Sequence, residues 1–312
     1  MNPAFSIIAF TTLAGSAQGL VVVLAIATLL GAAPPPGFVA GALAVALLLL
    51  LAALGASFLH LGHKLRAWRA VLMWRTSWMS REVIVLPAFI ALVAAWAASV
   101  VQGVDGPLRW LLPVLVLLLS AALWVCTAMI YACLRFVQEW AHPLTVVNYT
   151  LIGLSGGMVL AGALGVVGGQ PGFAAAVGPW ALLATLAAWA TRMLALRRNA
   201  RLRPRSTLQS ATGIQNPQLV QTSMGLTAGS YNTREFFHRA SLAGLRRIKL
   251  GFIVFGFAVP AILLACALWA GPAGGAAWLL AVPLQTLGIL AERWFFFAQA
   301  RHPQNLYYQV VS

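Results

Sequence analysis

The chain consists mainly of apolar segments that are each about as long as a lipid bilayer is thick. A helix needs about 20 apolar residues to cross the hydrocarbon core of a membrane. Segments that meet this requirement are residues 5–30, 38–59, 83–101, 111–132, 146–167, 173–194, 251–269 and 277–299. Only 8% of the 312 residues are charged, too few to cover a water-facing surface of this size. The sequence excludes a soluble enzyme and predicts an all-α integral membrane protein, a single-domain bundle (residues 1–312) of eight transmembrane helices with a retained first span.

Basic residues are concentrated at one end of this predicted bundle, called the basic end below. Four turns rich in Gly and Pro, residues 31–37, 102–108, 168–172 and 271–276, meet at the opposite end if the spans alternate in direction. That opposite end carries Arg109, whereas the other 19 of the 20 Lys and Arg residues lie at or near the basic end. Lys and Arg are enriched on the cytoplasmic side of membrane proteins. We therefore expect the basic end, with both termini, to be cytoplasmic.

Glycines and tryptophans predict how the spans are arranged. The first span carries Gly15 and Gly19, and the fifth carries Gly153 and Gly157, a spacing that lets two helices approach closely. We expect these two spans at the bundle centre and the second span, almost free of polar side chains, to face lipid. Tryptophan rings favour the headgroup level of a membrane. The outer ends of the spans are therefore predicted to be marked by Trp96, Trp110, Trp180, Trp269 and Trp278.

Metal and haem sites are not expected. The three cysteines, Cys126, Cys133 and Cys266, lie in or at the end of apolar segments without a CxxC pair, as is typical of small apolar packing residues. Haem held by two histidines needs both to project inward from spans. Among the five histidines only His60 lies near a span.

Residues 60–82 form the segment with the most informative chemistry. His60 ends the second span and Glu82 opens the third, which places both at the same depth of the basic end. Histidine titrates near neutral pH, and a desolvated carboxyl can be raised into that range, so the pair suits proton exchange with a quinone head group. An interfacial histidine, and an acid at a helix start capped by Ser80, would explain both without a function. The same segment supplies further candidate quinone-site residues, Arg69, Arg75, Trp78 and Arg81.

Two other features of the basic end have alternative interpretations. Residues 196–249 form a long polar segment that begins with a polybasic run, and we expect an ordered docking surface for a cytoplasmic partner rather than a mobile loop. Glu292 and Arg293 interrupt the last span. They could form an ion pair, or their charged ends could reach the nearby membrane interface (snorkelling). Alternatively, Glu292 passes protons to the quinone pocket, or Arg293 binds a polar head group.

The segments FLHLGHKLRAWRA, SWMSRE, TSMGLTAGSYNTREFFHRA and RWFFFAQARHPQNLYYQ resemble the membrane anchor subunits of the dimethyl sulfoxide reductase type, over essentially the whole chain. The resemblance implies a bacterial inner-membrane subunit without haem that binds ubiquinone or menaquinone. It also implies an iron–sulfur subunit and a molybdopterin catalytic subunit as partners. The histidine and the acid that the family ties to quinol fall on His60 and Glu82, and Arg293 resembles the family's last span. The acid Glu292 is adjacent to Arg293 rather than four residues earlier, a departure from the family pattern.

The basic docking face favours one branch of that family. It resembles the anchors of the sulfite-oxidising complexes whose catalytic subunits face the cytoplasm (the SoeC type). A reductase of S- or N-oxides that oxidises menaquinol, a purely structural anchor, and a secondary transporter are the alternatives. The transporter is disfavoured because the spans carry almost no ionisable groups.

Overall fold

The protein is described by a computed structural model, which defines residues 1–59, 61–220, 222, 237–238, 240–303 and 305. This part of the chain is helical and contains no strand. Its α-helices are α1 Phe5–Leu29, α2 Pro36–Leu59, α3 Trp78–Val101, α4 Leu108–Ala132, α5 Pro143–Val167, α6 Pro171–Asn199, the short α7 Leu208–Thr212, α8 Leu242–Ile253, α9 Val259–Ala270 and α10 Gly275–Ala298. A 3-10 helix covers Lys64–Met73, a π-helical turn joins α8 to α9 at Val254–Ala258, and a 3-10 turn covers Gly271–Gly274.

The helices confirm the all-α membrane class. Seven helical stretches of the described chain are long and apolar enough to cross a membrane, the last being Leu242–Ala298 with 57 residues. A straight helix of that length would measure about 85 Å, far more than the roughly 30 Å of a bilayer core. The stretch bends back instead at Gly271, whose φ of +58° is strained for other residues. As a result, α9 packs against α10.

The centre of the bundle is the contact between α1 and α5, as the glycine spacing predicted. A Cβ atom placed on Gly157 would lie closer than 3.0 Å to the backbone of Gly19 and Leu20, and one placed on Gly19 would clash with Gly153. The two backbones therefore touch without intervening side chains. A similar contact joins Gly256, in the π-helical turn, to Gly288 of α10.

Tryptophans at the outer end follow the prediction only in part. Trp110, Trp180 and Trp269 are exposed on the bundle surface, as expected of rings at the headgroup level. Trp96 and Trp278 also lie near the outer ends of their helices, but they are buried in the core, so the expectation that their rings face the headgroups is wrong. Position along the chain sets the depth of a residue in the membrane, whereas rotation about the helix axis decides whether it faces lipid or protein.

Several contacts bring the chain segments at the basic end together. The Met1 ammonium donates to the Ala300 carbonyl over 3.1 Å, which joins the start of the chain to the end of α10. The Trp140 indole N–H donates to the Phe296 carbonyl over 3.1 Å, which fixes the α4–α5 connection against α10. Arg198, at the end of α6, donates to the Gln138 carbonyl of the same connection over 3.0 Å. These contacts hold the described start of the chain, the α4–α5 connection, α6 and α10 together at the basic end, where the candidate site lies.

Candidate functional site

Glu82 lies in the second turn of α3, one turn deeper than a capping residue. The N-cap of α3 is Ser77, whose hydroxyl accepts from the Ser80 N–H over 3.4 Å, so the predicted Ser80 cap is wrong. The first turn of α3 contains no acidic residue. Helix capping therefore does not account for a carboxyl at this position.

The Glu82 carboxyl is buried between α3 and α4. Its Oε1 atom accepts a short hydrogen bond from the Thr127 hydroxyl of α4. The next residues along α3, Val83 and Ile84, are exposed on the apolar outer surface of the bundle. A buried carboxyl at the rim of a membrane protein, next to a lipid-facing surface, can hold or release a proton toward an apolar ligand.

Thr127→Val tests whether this hydrogen bond holds the carboxyl in place. Valine keeps the volume of threonine but removes the donor, and we expect the free energy of unfolding to fall by about 1–2 kcal/mol. Thr127→Ser keeps the hydroxyl and should have a smaller effect. Equilibrium unfolding in mixed micelles measures both variants. A loss of stability for serine with none for valine would show that packing of the methyl group, not the hydrogen bond, matters here.

A cluster of aromatic rings lies between the part of α4 that contacts Glu82 and the last helix. Tyr131, one turn along α4 from Thr127, stacks on Tyr149 with ring centroids 5.7 Å apart. The guanidinium carbon of Arg293 lies 3.9 Å from the centroid of the Tyr149 ring, a favourable cation–π geometry. Trp140 and Phe296 close the cluster by stacking 5.5 Å apart. Arg293 is thus joined to the Glu82 region through two tyrosines rather than by direct contact.

Glu292 and Arg293 form a buried charged cluster with Arg192, an arginine that was not predicted to belong to the site. Arg192 Nε lies 2.6 Å from Glu292 Oε1, and Arg293 Nη1 lies 3.5 Å from Glu292 Oε2. All three side chains are at most 2% exposed. The sequence does carry a signal for Arg192, because it lies inside the sixth apolar segment, where an unpaired charge is costly.

A narrow cleft between α5, α6 and α10 leads to this cluster. Its walls include Glu139, His142, Asn148 and Arg198 in addition to the three cluster residues. The cleft has room for about one water molecule. Burial and the positive charge of Arg198 lower the pKa of the His142 imidazole, which favours its neutral form. The His142 Nδ1 atom accepts from the Leu144 N–H over 3.1 Å and thereby caps α5.

The basic candidates on the α2–α3 connection lie outside the bundle core. Arg69 and Arg75 are exposed, and their guanidinium groups lie over the neighbouring Trp68 and Trp74 rings. Arg81 donates to the carbonyls of Trp74 and Arg75 over 2.9 and 2.8 Å, and its guanidinium lies 4.2 Å from the Trp78 ring centroid. Arg81 and Trp78 therefore hold the connection next to Glu82. The main element of this connection is the 3-10 helix Lys64–Met73, whose residues are not buried.

Two predicted features lie wholly or partly outside the described residues. His60 is one of them, so the predicted pairing of His60 with Glu82 stays a prediction. Of the predicted docking segment, residues 196–249, the structure describes the end of α6, residues 200–220 with α7, and the chain from residue 240 onward, but not residues 223–236.

Comparison with known proteins shows the family of the chain. The sequence model of the DMSO reductase anchor subunit (DmsC) family matches residues 1–269. The C subunit of the sulfite dehydrogenase of Allochromatium vinosum is 46% identical to the chain, and the match covers 100% of both proteins. Both the family match and the identity extend through the helices that carry Glu82, Thr127 and Arg192. The chain therefore belongs to the DMSO reductase anchor subunit family.

Proposed function

We propose that the chain is the membrane anchor of a molybdopterin oxidoreductase complex that oxidises sulfite and passes the electrons to membrane quinone. Identity of 46% over full length to the C subunit of a sulfite dehydrogenase supports the sulfite-oxidising branch. An iron–sulfur subunit and a molybdopterin subunit would dock on the basic end, at residues 196–249. An anchor of an S- or N-oxide reductase that oxidises menaquinol is the alternative, since the potentials of the partners set the direction of electron flow.

The orientation of the chain is part of this proposal. The bend at Gly271 and the packing of α9 on α10 support eight crossings, with α8, the π-helical turn and α9 together forming the seventh. An even number of crossings places both termini on the same side. The 19 basic residues at this end support a cytoplasmic location in the bacterial inner membrane.

The observation that carries the quinone assignment is the buried Glu82 carboxyl at the basic end. Reduction of a quinone to the quinol consumes two electrons and two protons, which form the two O–H bonds. The electrons come from the partner subunits, and the protons must cross from the aqueous side to the ring oxygens. Glu82 would donate a proton to one oxygen, and Thr127 orients its carboxyl. His60, which follows the last residue of α2, would serve the other oxygen, with Arg69, Arg75, Trp78, Arg81 and Arg293 shaping the site.

The test is Glu82→Gln in the assembled complex. Glutamine keeps the size of the side chain and the acceptor for Thr127, but it cannot exchange the proton. Since proton transfer by a positioned group contributes a hundredfold or more, we expect sulfite-dependent quinone reduction to fall by about a hundredfold. Sulfite-dependent ferricyanide reduction, which takes electrons before the quinone, should be unchanged. His60→Arg should likewise lower sulfite-dependent quinone reduction and leave ferricyanide reduction unchanged.

Asp105→Asn provides the matched control, because it removes a carboxylate at the opposite end of the bundle. It should leave quinone reduction unaltered. Full quinone reduction by Glu82→Gln with normal assembly would favour a structural anchor whose quinone is served elsewhere. Loss of the partner subunits from the membrane in Glu82→Gln would mean that the residue acts in assembly.

A further inference from the structure

Among the described residues, the cleft between α5, α6 and α10 carries an uncompensated positive charge. Its lining includes three arginines, Arg192, Arg198 and Arg293, against two acids, Glu139 and Glu292, which leaves one net positive charge. Neutral His142 does not change this balance. A charge buried in a medium of low dielectric constant is costly unless it is paired. An anion bound in the cleft would therefore be stabilised.

Two of the arginines that line the cleft have unused hydrogen-bond donors. Arg192 Nη2 and Arg293 Nε have no hydrogen-bond partner among the described residues, although both side chains are 2% exposed. A guanidinium normally uses its N–H groups on a carboxylate or a phosphate, in a forked geometry. The space beside them is about the size of one water molecule and can take one oxygen atom of such a group.

The surroundings of the cleft favour anions of the membrane surface. Arg197 and Arg198 lie in the last turn of α6, and the chain continues with Arg201, Arg203 and Arg205 without an acid. Arg198 is half-buried beside Gln138, whereas Arg197 is exposed. Basic pockets between membrane helices, next to such polybasic runs, bind the headgroups of acidic lipids.

We propose that this cleft binds a phosphate group, supplied by the headgroup of an acidic phospholipid. One phosphate oxygen enters the space beside Arg192 and Arg293, and a second oxygen meets Arg198 and the Asn148 amide. The bound phosphate then neutralises the cluster and ties α6 to α5 and α10. This site shares Arg293 with the proposed quinone site but does not include Glu82, and lipid binding to it can be tested without quinone chemistry.

The experiment measures thermal unfolding of the full-length chain in detergent with added phosphatidylglycerol, phosphatidylcholine or inorganic phosphate, together with intact-protein mass spectrometry of bound lipid. We expect phosphatidylglycerol, but not phosphatidylcholine, to raise the melting temperature and to stay bound. Arg198→Gln should weaken phosphatidylglycerol binding by roughly five- to tenfold. Arg192→Lys keeps the buried charge but loses Nη2, and it should weaken binding by a similar factor.

Arg197→Gln is the matched control, because it removes the same charge from the same helical turn at an exposed position. It should weaken binding less than twofold. Equal losses for Arg197→Gln and Arg198→Gln, or equal effects of the two lipids, would overturn the proposal. An effect of inorganic phosphate as large as that of the lipid would overturn the lipid source. Glu235, the next acid along the chain after this polybasic run, lies outside the described residues. If phosphatidylglycerol raises the melting temperature only of a Glu235→Gln variant, a carboxylate of this chain supplies the counter-charge and the proposal is wrong.

Discussion

Replacing Glu292 by glutamine is expected to lower the free energy of unfolding by about 3–5 kcal/mol, because it leaves two buried guanidinium groups without their shared carboxylate. In the wild type, Glu292 contacts Arg192 over 2.6 Å and Arg293 over 3.5 Å, and all three side chains are at most 2% exposed. The variant places two positive charges in the same small volume, where their repulsion adds to the cost of desolvation. Equilibrium unfolding in mixed micelles or nanodiscs provides the measurement.

Arg192→Met is the informative comparison for this prediction. It removes one positive charge and leaves the Glu292–Arg293 pair, so we expect it to cost less than Glu292→Gln. The double variant retains Arg293 alone over the Tyr149 ring and should be more stable than Glu292→Gln. The double-mutant cycle then gives the coupling between Arg192 and Glu292. A coupling near zero would show that the two charges do not interact in the folded protein.

This charged cluster also shows what could not be predicted from the sequence. Glu292 and Arg293 were visible as charges inside a span, and an ion pair was one expected explanation. Their partner Arg192 lies 100 residues earlier, on α6, and no local pattern connects the two positions. The pairing depends on how α6 and α10 are rotated toward each other, which the spacing of apolar residues in strongly hydrophobic helices does not define.

Elsewhere too, predictions of position along the chain were correct, whereas predictions that depend on how a helix is rotated were wrong unless the sequence marked a helix face. Length and hydropathy located the spans to within a few residues, except that the seventh begins nine residues earlier, at Leu242. The spacing of small residues predicted the α1–α5 contact, because glycine specifies a face of the helix as well as a depth. Tryptophan specifies depth alone, and Trp96 and Trp278 accordingly turned out to be buried. Thr127, the partner of Glu82, carried no signal, since a threonine in an apolar helix usually bonds to its own backbone.

A single methyl group added at the α1–α5 contact is also expected to lower the stability of the protein strongly. Gly157→Ala would place a Cβ atom closer than 3.0 Å to the backbone of Gly19 and Leu20, where no side chain can move aside. The two helices must separate, and the packing between them, which holds the bundle centre, is lost with that movement. We expect the variant to lose more than about 4 kcal/mol of stability or to fail to accumulate in the membrane.

Gly55→Ala adds the same methyl group to α2 at a position where nothing lies within 4 Å. Alanine is the better helix former by about 1 kcal/mol, so this control should be neutral or slightly stabilising. Both variants gain the same helix propensity. The difference between their free energies of unfolding therefore measures the cost of disturbing the close contact between α1 and α5. If Gly157→Ala were as stable as Gly55→Ala, the backbones of α1 and α5 could not touch at Gly19. The position of α5 that brings the Tyr149 ring next to Arg293 would then be wrong as well.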